Sequence, residues 1–321
     1  MVLSQVIGND SVKELLCHCV SSNRIGHAYI IEGGRGTGRM TVAKAFAGSI
    51  LGTENCETHP DFTVVTNQLY DPTKKQENVL VDTIRGMKKD VYIRPYMSER
   101  KVYVIPNADT MQAPAQNSLL KVFEEPPEYC TIILLAENAN AFLPTILSRA
   151  VVLRLKNLEI DQVSDYLIKN KGIDKTLAVQ LAIMSGGAIG KALSLMEDED
   201  KTELREEIFG HLKKLKDGNN QDMYDFVRFL KGNRSDSGFI FEVLLSWSRD
   251  VMKTKIMGAN AEIVNIDKEK DIKELCGRIT RETAVNLTEI TAKYKNITEQ
   301  NANYPIAILC MATEYREEIH G

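Results

Sequence analysis

The stretch GGRGTGRMT at residues 33–41 carries the glycines of a phosphate-binding loop and lacks its two chemically active side chains. The pattern G-x-x-x-x-G-K-[ST] is met at Gly33 and Gly38, but Arg39 stands where lysine is required and Met40 where serine or threonine is required. Gly33, Gly34, Gly36 and Gly38 still allow backbone N–H groups to turn inward around an anion, at the positive end of a following helix. Lysine would send a compact ammonium to the β and γ phosphates, whereas the guanidinium of Arg39 is larger, planar and differently directed. Met40 is the sharper loss, because a thioether does not ligate the hard Mg²⁺ ion that a hydroxyl would hold. Thr41 comes one residue late, which on a helix turns its side chain by about 100°.

A second strand should supply a carboxylate for the same metal. In KVYVIPNADTM (101–111) the apolar run is followed by Pro106 and Asn107 rather than by an acid. Proline offers neither charge nor proton. Asp109 lies further on and is expected to cap the next helix. With both metal contacts missing, the chain is expected not to hydrolyse ATP by itself. It needs no cofactor, and its glycine turn retains at most weak binding of ATP or ADP. The cysteines at 17, 19, 56, 130, 276 and 310 have irregular spacing, which predicts reduced thiols. Cys17, His18 and Cys19 fall on a helix and diverge, and Cys56 with His59 is half a metal site, so neither metal nor zinc is expected.

These residues need elements to hold them. The runs at 27–31, 61–66, 101–106, 130–136 and 150–155 read as strands, and their near-continuous apolar character suits a parallel sheet covered on both faces. Helical segments at 9–22, 38–51, 78–90 and 112–124 lie between them, which gives an α/β layer fold with right-handed crossovers. After residue 157 the strands stop. Residues 158–197 read as short helices, with a loop at SGGAIG (185–190), and residues 205–321 read as all-helical. The charged segment 197–207 reads as a boundary and a solvated helix start. Phe241, Leu244, Leu245 and Val251, and again Ile306, Leu309 and Cys310, fall at helical spacing and are expected in a core or a helix-to-helix contact.

Composition bounds the partners. The chain has 321 residues, is 43% hydrophobic and 26% charged, and carries a net charge of −4. That balance fits folded protein and argues against DNA binding that relies on the chain's own phosphate contacts, without excluding a local basic patch. The N-terminal segment lacks the layout of a signal peptide, and no apolar run is long enough for a membrane span.

The segment SLLKVFEEPPEYCTIILLAENANAFLPTILSRAVVLRL (118–155) resembles the centre of an AAA+ clamp-loader subunit, through LLK-x-x-EEPP, Leu-Pro-Thr-Ile and Ser148-Arg149 in combination. VDTIRGMKKDVYIRPYMSERKVYVIPNADTM (81–111), SGGAIGKAL (185–193) and NANYPIAILCMATEY (301–315) extend the likeness through nearly the whole chain. It is to the clamp loader of bacterial DNA polymerase III, in particular to its delta-prime subunits. The resemblance implies an AAA+ parallel-sheet domain with a degenerate phosphate loop at 1–157, a small helical lid at 158–204 and an all-α collar at 205–321. It also implies a stator that does not hydrolyse ATP and that, through Arg149 with Ser148, offers an arginine finger in trans to a neighbour's ATP. The alternative for Arg149 is a pair with a carboxylate at its own surface.

The implied partners are the tau/gamma motor subunits and the clamp-opening delta subunit. Primed DNA is met indirectly through the assembly, the sliding clamp weakly or indirectly, and the setting is the cytoplasmic replisome with no membrane contact. Two departures stand out. The residue after Arg149 is Ala150, not cysteine, and the four-cysteine zinc module of the family is missing from 50–62, where Cys56 stands alone. The competing readings are an active tau/gamma-like ATPase and a stand-alone AAA+ nucleotide sensor.

Overall fold

In the computed structural model, which describes residues 3–215, 219–261, 263–300 and 303–320, five strands form one parallel sheet. They are β1 (Ala28–Glu32), β2 (Phe62–Val64), β3 (Lys101–Ile105), β4 (Cys130–Ala136) and β5 (Val151–Arg154), in the spatial order β2-β3-β4-β1-β5. Each of the five expected runs overlaps its strand, four contain it, and β1 runs one residue further, to Glu32. The helices between them are α1 (Asp10–Ser21), α2 (Arg39–Leu51), α3 (Asn67–Tyr70), α4 (Val81–Val91), α5 (Ala113–Glu124) and α6 (Pro144–Leu147). α3 and α6 went unread because four residues are too few to show a helical period.

Alternation along each strand feeds two cores. Ala28, Ile30, Tyr103, Ile105, Ile132 and Leu134 pack with Ile84 and Met87 of α4 and Leu119 and Val122 of α5. Tyr29, Ile31, Val102, Val104, Ile133 and Leu135 pack with Leu16 of α1 and Val42 and Phe46 of α2. With both faces covered, every position of β3 and β4 is buried, which is why these strands read as unbroken apolar runs. Each such side chain contributes about 1.5–3 kcal/mol relative to exposure. At the sheet edge the carboxylate of Asp61, 1% exposed, accepts from the backbone N–H groups of Tyr96, Met97 and Ser98 at 2.6, 2.8 and 2.8 Å. Burial pushes its pKa up, but the three donors outweigh burial and hold the carboxyl below its ordinary range.

The chain divides into two units, Met1–Val163 with Gly187–Lys191, and Ser164–Gly186 with Ala192–Gly321. The remaining helices are α7 (Ile160–Lys171), α8 (Lys175–Met184), α9 (Ile189–Glu197), α10 (Glu199–Leu215), α11 (Asn220–Gly232), α12 (Ser237–Met257), α13 (Glu269–Arg278), α14 (Arg281–Glu299) and α15 (Tyr304–His320). α10 starts inside the charged 197–207 segment, as a solvated helix start should. The second unit's core gathers Ile208, Phe226, Phe241, Leu244, Trp247, Leu287, Met311 and Tyr315, with α12 packed against α10, α13 and α14. Phe241, Leu244 and Val251 lie in it, and Leu245 is half-buried.

The expectation for α15 is corrected. Ile306 and Leu309 are 59% and 39% exposed, and Cys310 is exposed as well. α15 carries two apolar stripes, and Tyr304, Ala307, Ile308, Met311, Ala312 and Tyr315 take the core. The two tyrosines decide it, because each buries a ring and still finds a partner for its hydroxyl, Leu230 O for Tyr304 and Thr291 Oγ1 for Tyr315. Asn301 and Ala302, which open the 301–315 segment, lie outside the described residues. Among the described residues no single helix is long and apolar enough to cross a membrane.

Candidate functional site

β1 ends at Glu32, and the glycine turn carries the chain from there into α2. Gly33 N–H donates to Ala136 O at 3.1 Å, which ties the turn to the end of β4. Thr37 Oγ1 donates to Gly34 O at 2.8 Å and closes the turn on itself. Gly36 and Gly38 sit at φ +83° and +91°, a region that L side chains rarely enter, so both glycines are required by the backbone alone. Gly190 N–H donates to Gly36 O at 2.8 Å, and a Cβ added at Gly36 would come within 2.7 Å of Lys191 N. The turn has the shape of a phosphate loop and is covered by its own chain at Gly36.

Arg39 and Met40, the two departures from the pattern, both have local employment. Nη2 of Arg39 lies 3.4 Å from Oε1 of Glu137, and the side chain is only 12% exposed. Its Nη1 is buried and meets no acceptor among the described residues. Met40 is half-buried against the core beneath α2, so its thioether packs rather than ligates. Thr41 faces solvent.

The second strand gives no carboxylate either. Pro106 and Asn107 follow β3, and Asn107 adopts φ +47° while its carbonyl accepts from Thr110 Oγ1 at 2.7 Å. The expectation that Asp109 caps the following helix is corrected. α5 has Gln112 at its N-cap, and Oδ2 of Asp109 accepts from the backbone of Glu137 at 2.8 Å and of Asn138 at 3.4 Å. Asp109 lies in a single 3-10 turn that ends before α5, so its side chain reaches the end of β4 instead. Glu32 is taken in the same way, by Arg154 Nε at 2.8 Å and Ala139 N–H at 3.0 Å. Glu32, Asp109 and Glu137 are thus spent on protein partners.

Among the described residues, no group of three or more His, Cys, Asp or Glu side chains is placed to hold a metal ion. Cys56 is buried, and its Sγ donates to Lys44 O at 3.4 Å. His59 Nδ1 accepts from Asp61 N–H at 3.1 Å. The two side chains do not face a common centre.

Arg149 has a different setting. Pro144 opens α6, where its missing N–H costs nothing, and the chain leaves α6 through Ser148 and Arg149 into β5. Arg149 Nη1 donates to Thr145 O at 3.1 Å and lies 3.4 Å from Ser148 Oγ, which itself donates to Thr145 O. Nη2 stands 3.6 Å from Oε1 of Glu124, too long for a hydrogen bond, and the side chain is 38% exposed. Ala150 packs half-buried against the sheet core. The carboxylate pair considered from sequence therefore exists, as a long and solvent-facing one of the kind worth about 0–1 kcal/mol.

Register separates this corner from the glycine turn. Tyr29 pairs with Val151 on parallel strands, so Arg149 is level with residue 27, while the turn begins at Gly33. The 6 intervening residues, from 27 to 33, span about 20 Å at 3.3 Å per residue. The two features sit at opposite ends of the neighbouring strands β1 and β5, further apart than one side chain reaches. Glu124, Glu137 and Gly190 complete these settings; all three lie in segments (118–155 and 185–193) that carried the resemblance, which gave no sign of their contacts.

The family model for the delta subunit of DNA polymerase III matches residues 8–159. The delta-prime subunit of Bacillus subtilis DNA polymerase III is 26% identical over 311 residues, covering 91% of this chain and 91% of that protein. The tau subunit of the same organism is 25% identical over 90% of this chain and 56% of its own length. The tau/gamma subunit of Haemophilus influenzae is 28% identical over 60% of this chain and 30% of its own length. The chain thus spans nearly all of the delta-prime relative and at most about half of the tau relatives. The chain is similar to clamp-loader subunits of bacterial DNA polymerase III, and along nearly its whole length to a delta-prime subunit.

Proposed function

We propose that the chain is the stator of its clamp loader, a subunit that does not cleave ATP and lends Arg149 to the ATP of a neighbouring subunit. The observation that carries this reading is the separation of Arg149 from the chain's own glycine turn by the length of β1. A guanidinium at that end of the strands serves a nucleotide only if another subunit brings it. A head-to-tail ring gives each subunit two different faces and supplies that geometry.

The missing metal ligands at Met40, Pro106 and Asn107 support the rest. With neither the loop hydroxyl nor a second-strand carboxylate to anchor Mg²⁺, the charge building on a γ-phosphate is not neutralised on this chain, whatever the glycine turn holds. No cofactor is required, and any ATP or ADP at Gly33, Gly36, Gly38 and Arg39 is held weakly. The division into a core (1–157), lid (158–204) and collar (205–321) belongs to the same reading. So do assembly with tau/gamma motors and a delta subunit, indirect contact with primed DNA and the clamp, and a cytoplasmic setting.

The test is reconstitution with motor and delta subunits. DNA-stimulated ATPase and clamp loading are expected only when this chain is present, and the chain alone is expected to show no turnover. The similarity to tau subunits favours a second reading, a motor that tolerates Arg39. Turnover of about one per second by the isolated chain with Mg-ATP, as in the range for phosphoryl-transfer enzymes, would establish that reading and end the first.

A further inference from the structure

A groove of about 890 Å³ runs between α3 and α4, within the first unit and apart from both features above. Arg85, Lys88, Lys89 and Tyr92 enter it from α4 at spacings of 3, 1 and 3, which places them along one helix face. Tyr70 and Lys74 line it from the other side. The carboxylates in the groove are already used, since Asp82 lies 3.3 Å from both Lys74 and Arg85, and Asp71 lies 3.7 Å from Lys74. Lys88 and Lys89 have no carboxylate partner among the described residues. The surrounding segment 70–101 holds eight Lys and Arg against five Asp and Glu, a balance of +3 in a chain whose net charge is −4.

The walls are built rather than incidental. Asn67, 6% exposed, donates to Gln76 O and Asn78 O at 2.8 and 2.9 Å and accepts from Leu80 N–H and Thr83 Oγ1 at 3.1 and 2.6 Å. One buried amide thereby fixes the loop 71–80 to the start of α4. Gly86 lets the Tyr70 ring lie on the α4 backbone, since a Cβ there would stand 2.5 Å from Tyr70 Cδ1. Tyr92 is 47% exposed at the rim.

We propose that this groove binds single-stranded nucleic acid, with phosphates on Lys88, Lys89 and Arg85 and a base stacked on Tyr92. Cations without partners attract any polyanion, and the exposed ring beside them selects one that carries bases, since every base has a π-face. Arg85 and Lys89 are about 6 Å apart along the helix axis, so both can reach phosphates of one short strand. This contact goes beyond the stator reading and does not depend on it.

The experiment is fluorescence anisotropy of a labelled oligothymidylate of about 16 nucleotides, titrated with the full chain at low salt. Binding is expected to weaken with salt at a log–log slope of about −2, the value for three phosphate contacts on a single strand. Lys88→Glu with Lys89→Glu should weaken it about a hundredfold, by removing two contacts and adding repulsion. Tyr92→Ala should cost about tenfold and Tyr92→Phe much less, because stacking needs the ring and not the hydroxyl.

Absence of binding at low salt, or full binding by the double variant, would overturn the proposal. Displacement by polyglutamate as effective as by unlabelled oligonucleotide would also overturn it and assign the groove to an acidic protein segment. Should the charge reversal disturb folding, Lys88→Gln with Lys89→Gln replaces it. That pair must also weaken binding, and unchanged affinity overturns the proposal.

Discussion

The glycine turn and the Arg149 corner occupy opposite ends of the strands of one sheet and have been treated in opposite ways. At the turn the groups with catalytic potential are engaged by protein partners. Arg39 faces Glu137, Asp109 faces the amides of Glu137 and Asn138, and Gly190 covers the carbonyl of Gly36. At the corner the guanidinium is propped from below by Thr145 O and left partly open to solvent, held by one long contact to Glu124. A site whose polar groups satisfy one another has stability to lose and no chemistry to offer. A site with a propped, half-open cation has little stability at stake and a donor to lend. On the stator reading proposed above, the glycine turn is kept as structure and Arg149, at the opposite end of the strands, is the cation offered to a neighbour.

This contrast can be broken by substitution. The largest effect is expected from Arg149→Ala, which should lower the DNA-stimulated ATPase of the reconstituted loader by on the order of 10³. The same change should shift the unfolding free energy of the isolated chain by less than about 1 kcal/mol. An unaltered ATPase would remove Arg149 from the mechanism. Gly36→Ala should do the reverse, destabilising the chain by about 2–4 kcal/mol through a positive φ and the contact with Lys191 N. Gly34→Ala, whose added Cβ would meet only Thr37 Cγ2 at 3.8 Å, should stay within about 0.5 kcal/mol in the same urea titration. Equal midpoints for the two glycine variants would mean that the turn is not the tight element described.

The double change Arg39→Lys with Met40→Thr restores the loop's spelling and is expected to yield no ATP turnover by the chain alone. Pro106 and Asn107 still supply no carboxylate, and Asp109 remains committed to the backbone of β4's end. Phosphate release by that variant would show that hydrolysis does not need a carboxylate at the end of β3. The smallest effect belongs to Glu124→Gln, which removes an exposed pair at 3.6 Å and should change stability by less than about 1 kcal/mol. The assembled loader should keep its ATPase. A loss as deep as that of Arg149→Ala would make Glu124 the residue that positions the guanidinium.

Local signals in the chain were reliable where burial is two-sided or backbone strain is specific. The unbroken apolar runs of β3 and β4 announced strands covered on both faces, and Gly36 and Gly38 announced a turn that demands positive φ. Pattern reading misled at Asp109 and on α15. An aspartate just before a helix looks like a cap, but a single 3-10 turn carries Asp109 toward the end of β4, 28 residues away in sequence. On α15 two stripes have equally good helical spacing. Tyr304 and Tyr315 won the core because their hydroxyls found Leu230 O and Thr291 Oγ1 on other helices.

By itself the sequence determined what this chain lacks and where it bends. Met40 and Pro106 bring no side-chain oxygen to Mg²⁺ and Asn107 no charged one, in any fold, and a glycine's freedom belongs to the residue. Tertiary structure alone decided which partners the remaining charges meet. Arg39 and Glu137 are 98 positions apart, and the distance from Arg149 to the glycine turn depends on the register of two parallel strands. Register is set by packing summed across the whole sheet, a long-range property that no local pattern of residues encodes.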